Sequence, residues 1–286
     1  MLTLTSIEMN TWIASLLWPL TRILGLVTAA PLFGNKSFPI SAKVGLGVIL
    51  ALIIAPTVPA LPAADPLSMA GLLILVQEML IGVAMGFSMR IVFAAVEMAG
   101  EVASMTMGLG FATVFDPQSR GRSSAVSQFV ALIATLAFLS VNAHLVLLEV
   151  LAESFISLPI SATPMSGAMS LQVVRWAGVI FTTGLQLSLP IVAALLITTV
   201  ALGILTRAAP QLNIFGIGFP ISLGVGMLLL GQTLPYLSGP LQALFNRGIE
   251  TSRSMPRAAF ERTPPTVSVP VPLAPAAPVP AAAALQ

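Results

Sequence analysis

Six long apolar runs, separated by short polar or Gly/Pro-rich connections, dominate the chain. They cover about Trp12–Phe33, Val44–Val58, Leu72–Val96, Val126–Leu148, Trp176–Leu205 and Ile214–Phe245. Each is apolar all round rather than amphipathic, which predicts helices that are buried or face lipid. The last two are longer than the ~20 residues one bilayer crossing needs. Pro190 interrupts the fifth run, and Pro220 and Pro235 interrupt the sixth. A mid-run proline removes a backbone donor. Either these helices kink or each run is a pair of shorter helices, and the pattern leaves both open.

Composition turns these runs into a fold class. Of 286 residues, 57% are hydrophobic and 8% charged, with a mean hydropathy of +1.00. Soluble domains average about a quarter charged residues. A bilayer tolerates such a shortage of polar surface; water does not. The chain is therefore expected to be an all-α membrane protein with about six apolar helical segments, some kinked or broken into hairpins. With no cysteine, disulfides and thiolate sites are excluded. The net charge is +2 with scattered basic residues, so no basic stripe marks a nucleic-acid partner. Met1–Trp12 holds no Lys or Arg, so the first run reads as a retained helix rather than a signal peptide. Residues 251–286 begin polar and become Pro/Ala-rich, a composition expected to be disordered.

Charge placement along the connections gives conflicting topologies. Lys36, Lys43, Arg120, Arg122 and Arg207 fall in alternate loops, which the positive-inside rule puts in the cytoplasm. Six ordinary crossings would then leave the C-terminal Arg247, Arg253, Arg257 and Arg262 outside, against the same rule. Some apolar runs are thus not expected to be ordinary crossings.

Five charges lie inside or at the ends of apolar runs: Arg22, Glu78, Arg90, Glu97 and Glu101. Near a bilayer centre such groups need partners or a wet cavity. Ion pairs that fix packing are favoured over a conduction pathway, because no acidic relay recurs on several helices. Gly82 and Gly86 form a small-xxx-small pair suited to close helix packing. The single histidine, His144, reads as a hydrogen-bonded packing residue. No catalytic constellation, cofactor site or metal site is evident, so no enzyme is expected.

The densest signal is Met98–Gln128. Met105 and Met107 precede Gly108-Leu109-Gly110-Phe111, followed by Val114, Phe115, Asp116 and Pro117. Glycines free the backbone, Met and Phe add deformable apolar bulk, and Asp-Pro favours a turn. The stretch reads equally as a gate or plug in a conduit and as a re-entrant connection packed on its neighbours.

Over about residues 10–250, ordered short motifs closely resemble the FliR family of flagellar export-gate membrane proteins, with SctT as the counterpart in virulence secretion. They are Arg22 with Pro31-Leu32-Phe33-Gly34, Gly108-Leu109-Gly110-Phe111 with Asp116-Pro117, Asn142-Ala143-His144, and Arg207-Ala208-Ala209-Pro210-Gln211-Leu212-Asn213 ahead of Gly218-Phe219-Pro220. The resemblance implies a non-enzymatic subunit of a helical multi-subunit export gate. Its expected setting is the flagellar basal body in the bacterial inner membrane. FliP-like, FliQ-like and FlhB-like proteins are the implied partners, with membrane lipid and unfolded export substrates. It also implies a FliP-like part over about 1–170 and a FliQ-like hairpin over about 171–250. Met107–Arg122 falls where the family has a plug, which shifts that stretch toward a gate, with Phe111, Val114 and Phe115 filling the closed channel. Arg22, Glu78, Gly82, Gly86, Arg90, Arg207, Pro210, Gln211, Asn213 and Pro220 are the residues expected to serve assembly and packing. A small-solute permease is the alternative, weakened because both broken runs lie in the second half without a matching pair in the first.

Overall fold

The computed structural model describes residues 6–35, 37–59, 62, 64–111, 124–163, 165–209 and 214–260. Among them helices are the only regular elements. They are α1 (Ser6–Ala29), α2 (Ile40–Ile54), α3 (Met69–Thr106), α4 (Ala125–Ser140), α5 (Ala143–Ser157), α6 (Ala168–Ala177), α7 (Val179–Ala208), α8 (Ile214–Thr233) and α9 (Ser238–Ala258). Short 3-10 turns lie at Ala55–Thr57, Leu109–Phe111 and Leu234–Leu237.

Helix α3 is the axis around which the rest assembles. Its N-terminus is capped by Ser68, whose hydroxyl accepts from the Gly71 N–H. At 38 residues it is about 57 Å long, nearly twice the ~30 Å hydrocarbon core. It runs on through Glu97 and Glu101, beyond the third apolar run. In lipid, apolar burial does not drive helices together, so packing depends on close approach and polar links. Glycines supply the approach between α1 and α3. A Cβ on Gly82 would lie 2.0 Å from the Arg22 carbonyl oxygen, and one on Gly86 would lie 2.7 Å from that of Leu26. Because 22 meets 82 and 26 meets 86, the two helices run parallel, and α2 returns the chain along α1, with Gly47 against Leu20 and Leu24.

Helices α4, α5 and α9 descend beside α3. Phe93 of α3 packs on Phe138 of α4 and Phe245 of α9, with ring centroids 5.6 and 6.0 Å apart. Lower down, the Ser252 hydroxyl of α9 donates to the Met85 carbonyl. Helices α6 and α7 climb on another side, where the Trp176 indole N–H donates to the Ser88 carbonyl at 2.9 Å. Gly184 of α7 sits against Met98.

Four helical stretches are long and apolar enough to cross a membrane: Ile40–Thr57, Met69–Thr106, Ala168–Ala208 and Gly216–Ala258. The fourth apolar run is not a single helix. It breaks at Asn142, and α4 and α5 meet at a 65° bend; counted as one span, the pair would make a fifth. Asn142 takes φ 55°, a left-handed conformation that asparagine tolerates better than most side chains.

The choice between kink and hairpin is resolved differently at each proline. Pro190 and Pro220 lie inside single helices, and Pro235 lies in a short 3-10 segment that joins α8 to α9 within the continuous stretch Gly216–Ala258. Neither proline-containing helix is a hairpin by itself. The hairpin is made by α6–α7 against α8–α9. Helix α9 also runs through the boundary drawn at residue 250: Ser252, Met255, Ala258 and Ala259 are buried. Packed structure therefore reaches Phe260, because α9 keeps an apolar face against α3 while turning Gln242, Asn246, Arg247 and Glu250 outward.

Candidate functional site

Two clusters carry the polar chemistry of the interior. The first is built on Arg22 of α1, which is fully buried. Its Nε and Nη2 donate to the two carboxylate oxygens of Glu78 on α3, at 2.6 and 3.0 Å. Its Nη1 donates to the Ser154 carbonyl at 2.9 Å and the Ser154 hydroxyl at 3.1 Å. Both terminal nitrogens reach the Leu158 carbonyl, at 3.3 and 3.2 Å. The Phe155 ring stacks 4.4 Å from the guanidinium carbon. The Ser154 carbonyl already accepts the capping Leu158 N–H, and the guanidinium fork adds a second donor there and supplies donors to the Leu158 carbonyl just past the helix end. One side chain thus ties α1, α3 and the end of α5 together, immediately beside the Gly82 contact.

The second cluster lies at the far end of α3. Met107 is fully buried and fills the groove at Gly226 of α8, where an added Cβ would lie 2.5 Å from its Cγ. Gly108 follows with φ +87°, a conformation that disfavours any side chain, and faces the Phe219 ring. Leu109 is half-buried and Gly110 is exposed, with open space where a Cβ would stand. Residues 112–123 lie outside the described structure, so Val114, Phe115, Asp116 and Pro117 do too, and Phe111 is described only as backbone. The chain returns at Ser124, whose N–H donates to the Glu101 carboxylate at 3.0 Å. Ser124 caps α4 through the Ser127 N–H, and the Ser127 hydroxyl donates to the Glu97 carbonyl at 2.7 Å. Met107 and Ser124, the described residues on either side of this stretch, are therefore each held against rigid helices.

The remaining residues singled out in the sequence separate into distinct settings. Arg90 is exposed on α3 and has no ion pair among the described residues, so it is not a member of the Arg22–Glu78 cluster. Two charged residues in one apolar run have different fates because Glu78 faces Arg22 of α1, whereas Arg90 is exposed on another side of α3. Arg207 is exposed in the last turn of α7, and Pro220 lies within α8. Pro210, Gln211 and Asn213 lie outside the described residues. His144 is half-buried against Phe138, and its Nδ1 lacks a hydrogen-bond partner among the described residues, contrary to the hydrogen-bonded role expected for it. Ser154, which with Leu158 completes the Arg22 cluster, belongs to a Ser154-Phe155 motif of the family resemblance, yet neither residue is singled out for the site. Neither can be matched to Arg22 without the tertiary fold. Among the described residues no group of three or more His, Cys, Asp or Glu is placed to hold a metal ion.

A polytopic helical protein locked by a buried ion pair, with a tethered glycine-rich segment at one end, defines a class of membrane component rather than a reaction. The profile of the family described as bacterial export proteins, family 1, matches residues 13–248, and the chain belongs to that family. Among its relatives are proteins named flagellar biosynthetic protein FliR. That of Pectobacterium carotovorum subsp. carotovorum is 44% identical over 246 residues, covering 86% of this chain and 94% of the relative. That of Escherichia coli strain K12 is 39% identical over the same shares. The Bacillus subtilis strain 168 protein is 31% identical over 82% of this chain and 91% of its own length.

Proposed function

We propose that this chain is a non-enzymatic core subunit of the flagellar protein export gate, held in the bacterial inner membrane at the basal body. It assembles with FliP-like and FliQ-like subunits, beside an FlhB-like protein, to form the conduit for unfolded flagellar subunits. The observation that carries this reading is the family match over nearly the whole folded region, 13–248, with relatives named for flagellar biosynthesis. The surface of the helices supports it. Ile197, Val200 and Ile204 of α7 and Met227 and Leu228 of α8 are all more than half exposed, which suits a subunit whose neighbours are other helices.

In this reading the segment from Met107 to Arg122 is the plug. Met107 anchors it, Gly108 and Gly110 let it swing, and Phe111, Val114 and Phe115 supply the apolar bulk that closes the channel. Deleting Gly110–Phe115 in the complex with the FliP-like and FliQ-like subunits should raise small-ion leak across the membrane. An unchanged leak in a fully assembled complex would count against the plug.

A further inference from the structure

From Val83 onward, helix α3 is buried on every side but one. The less buried side there is a helical stripe of Val83, Phe87, Arg90, Ala94, Glu97, Glu101 and Met105, spaced three or four residues apart, with Phe87, Arg90, Glu97 and Met105 exposed and the others half-buried. Phe87 and Met105 are 41% and 62% exposed. The other sides face α1, α4, α7 and α9 through Gly82, Phe93, Met98 and Val92. The stripe carries three of the five charges embedded in apolar sequence. Among the described residues, Arg90 and Glu97 are exposed with no side-chain partner, and the Glu101 carboxylate accepts the Ser124 N–H and makes no ion pair. Arg90 cannot neutralise the carboxylates itself, since Glu97 and Glu101 lie about 10 and 16 Å further along the helix.

Lipid alone cannot satisfy this face, because unpaired charges amid apolar residues demand partners. A second copy docked through the same face cannot either. Copies inserted in one orientation are related by an axis along the membrane normal, and a twofold would set Arg90 against Arg90 and Glu97 against Glu97. We propose that this face of α3 docks a non-identical membrane subunit. That subunit presents a carboxylate level with Arg90 and a Lys or Arg about 10–16 Å along, level with Glu97 and Glu101. Phe87 and Met105 seal the two ends of the charged zone. This rests on the reading of the chain as an export-gate subunit and names the surface that binds its neighbour.

The test uses the full chain co-expressed with its FliP-like and FliQ-like subunits. A photo-crosslinking residue is placed at position 87 or 94, with position 53 on the exposed face of α2 as control. Crosslinks from 87 and 94, but not 53, to a FliP-like or FliQ-like subunit are expected. Arg90→Glu should lower recovery of the complex at least about tenfold, Arg90→Lys should retain it, and reversing the opposing acid in the crosslinked subunit should restore it. Crosslinks to a second copy of this chain would overturn the proposal. So would Ala94→Cys, a unique cysteine in this chain, reacting with a water-soluble maleimide as fast in the complex as in the free chain, since the face would then line water. If Arg90→Glu assembles at the unmodified level, the face alone is refuted. If the unmodified chain forms no such complex, the functional reading fails first and the proposal with it.

Discussion

Replacing Arg22 by leucine removes the one side chain that links α1, α3 and α5. The substitution loses two charge-assisted bonds to Glu78 and leaves that carboxylate 2% exposed with no cation. It also strips donors from the Ser154 and Leu158 carbonyls. Removing one partner of a buried ion pair costs about 3–5 kcal/mol. For a protein of this size that is a fall in melting temperature of about 6–20 °C. Differential scanning fluorimetry of the detergent-purified chain reads it directly. The double replacement Arg22→Leu with Glu78→Leu should cost less than the two singles summed, because no charge is then left unpaired. Two outcomes would refute the reasoning: an unchanged melting temperature in Arg22→Leu, or effects that add to within about 0.5 kcal/mol. In cells, Arg22→Ala should lower the yield of assembled complex more than transport per complex. Normal yield with abolished transport would make the arginine part of a conduction path.

Other positions separate packing from conformation. Gly82→Ala should destabilise the chain by more than about 1–3 kcal/mol, since its Cβ would run into the Arg22 carbonyl, while Gly45→Ala, which meets nothing within 4 Å, should leave melting unchanged. Asn142→Gly should be close to neutral, whereas Asn142→Val should cost about 1–2 kcal/mol at the left-handed break; equal melting of the two would refute the strain argument. Ser124→Ala should cost about 1 kcal/mol through loss of the α4 cap, seen as faster amide exchange at the start of α4.

The apolar runs locate nearly every helix because, in lipid, hydropathy is itself the folding constraint. What periodicity could not supply is which face each helix covers. Glu78 and Arg90 are both charges inside the same apolar run, and the run alone does not say which is buried; the approach of α1 at Gly82 buries Glu78 and leaves Arg90 open. The break at Asn142 is likewise invisible within an apolar run, since a single left-handed residue interrupts no hydropathy. Helix α3 outran its apolar segment because Glu97 and Glu101 use polar links to the start of α4 and an open face, not a buried one. Pro190 and Pro220 show the converse: strong breakers in water remain inside helices here, and Pro235 only tightens the continuous stretch Gly216–Ala258 into a short 3-10 segment.

Purification of the tagged chain from native membranes, followed by mass measurement and imaging, tests the central claim most directly. An export-gate subunit should emerge as a minor component of one complex with FliP-like and FliQ-like subunits at a fixed ratio. Recovery as a functional monomer or homo-oligomer, free of those subunits, would contradict it and favour a permease.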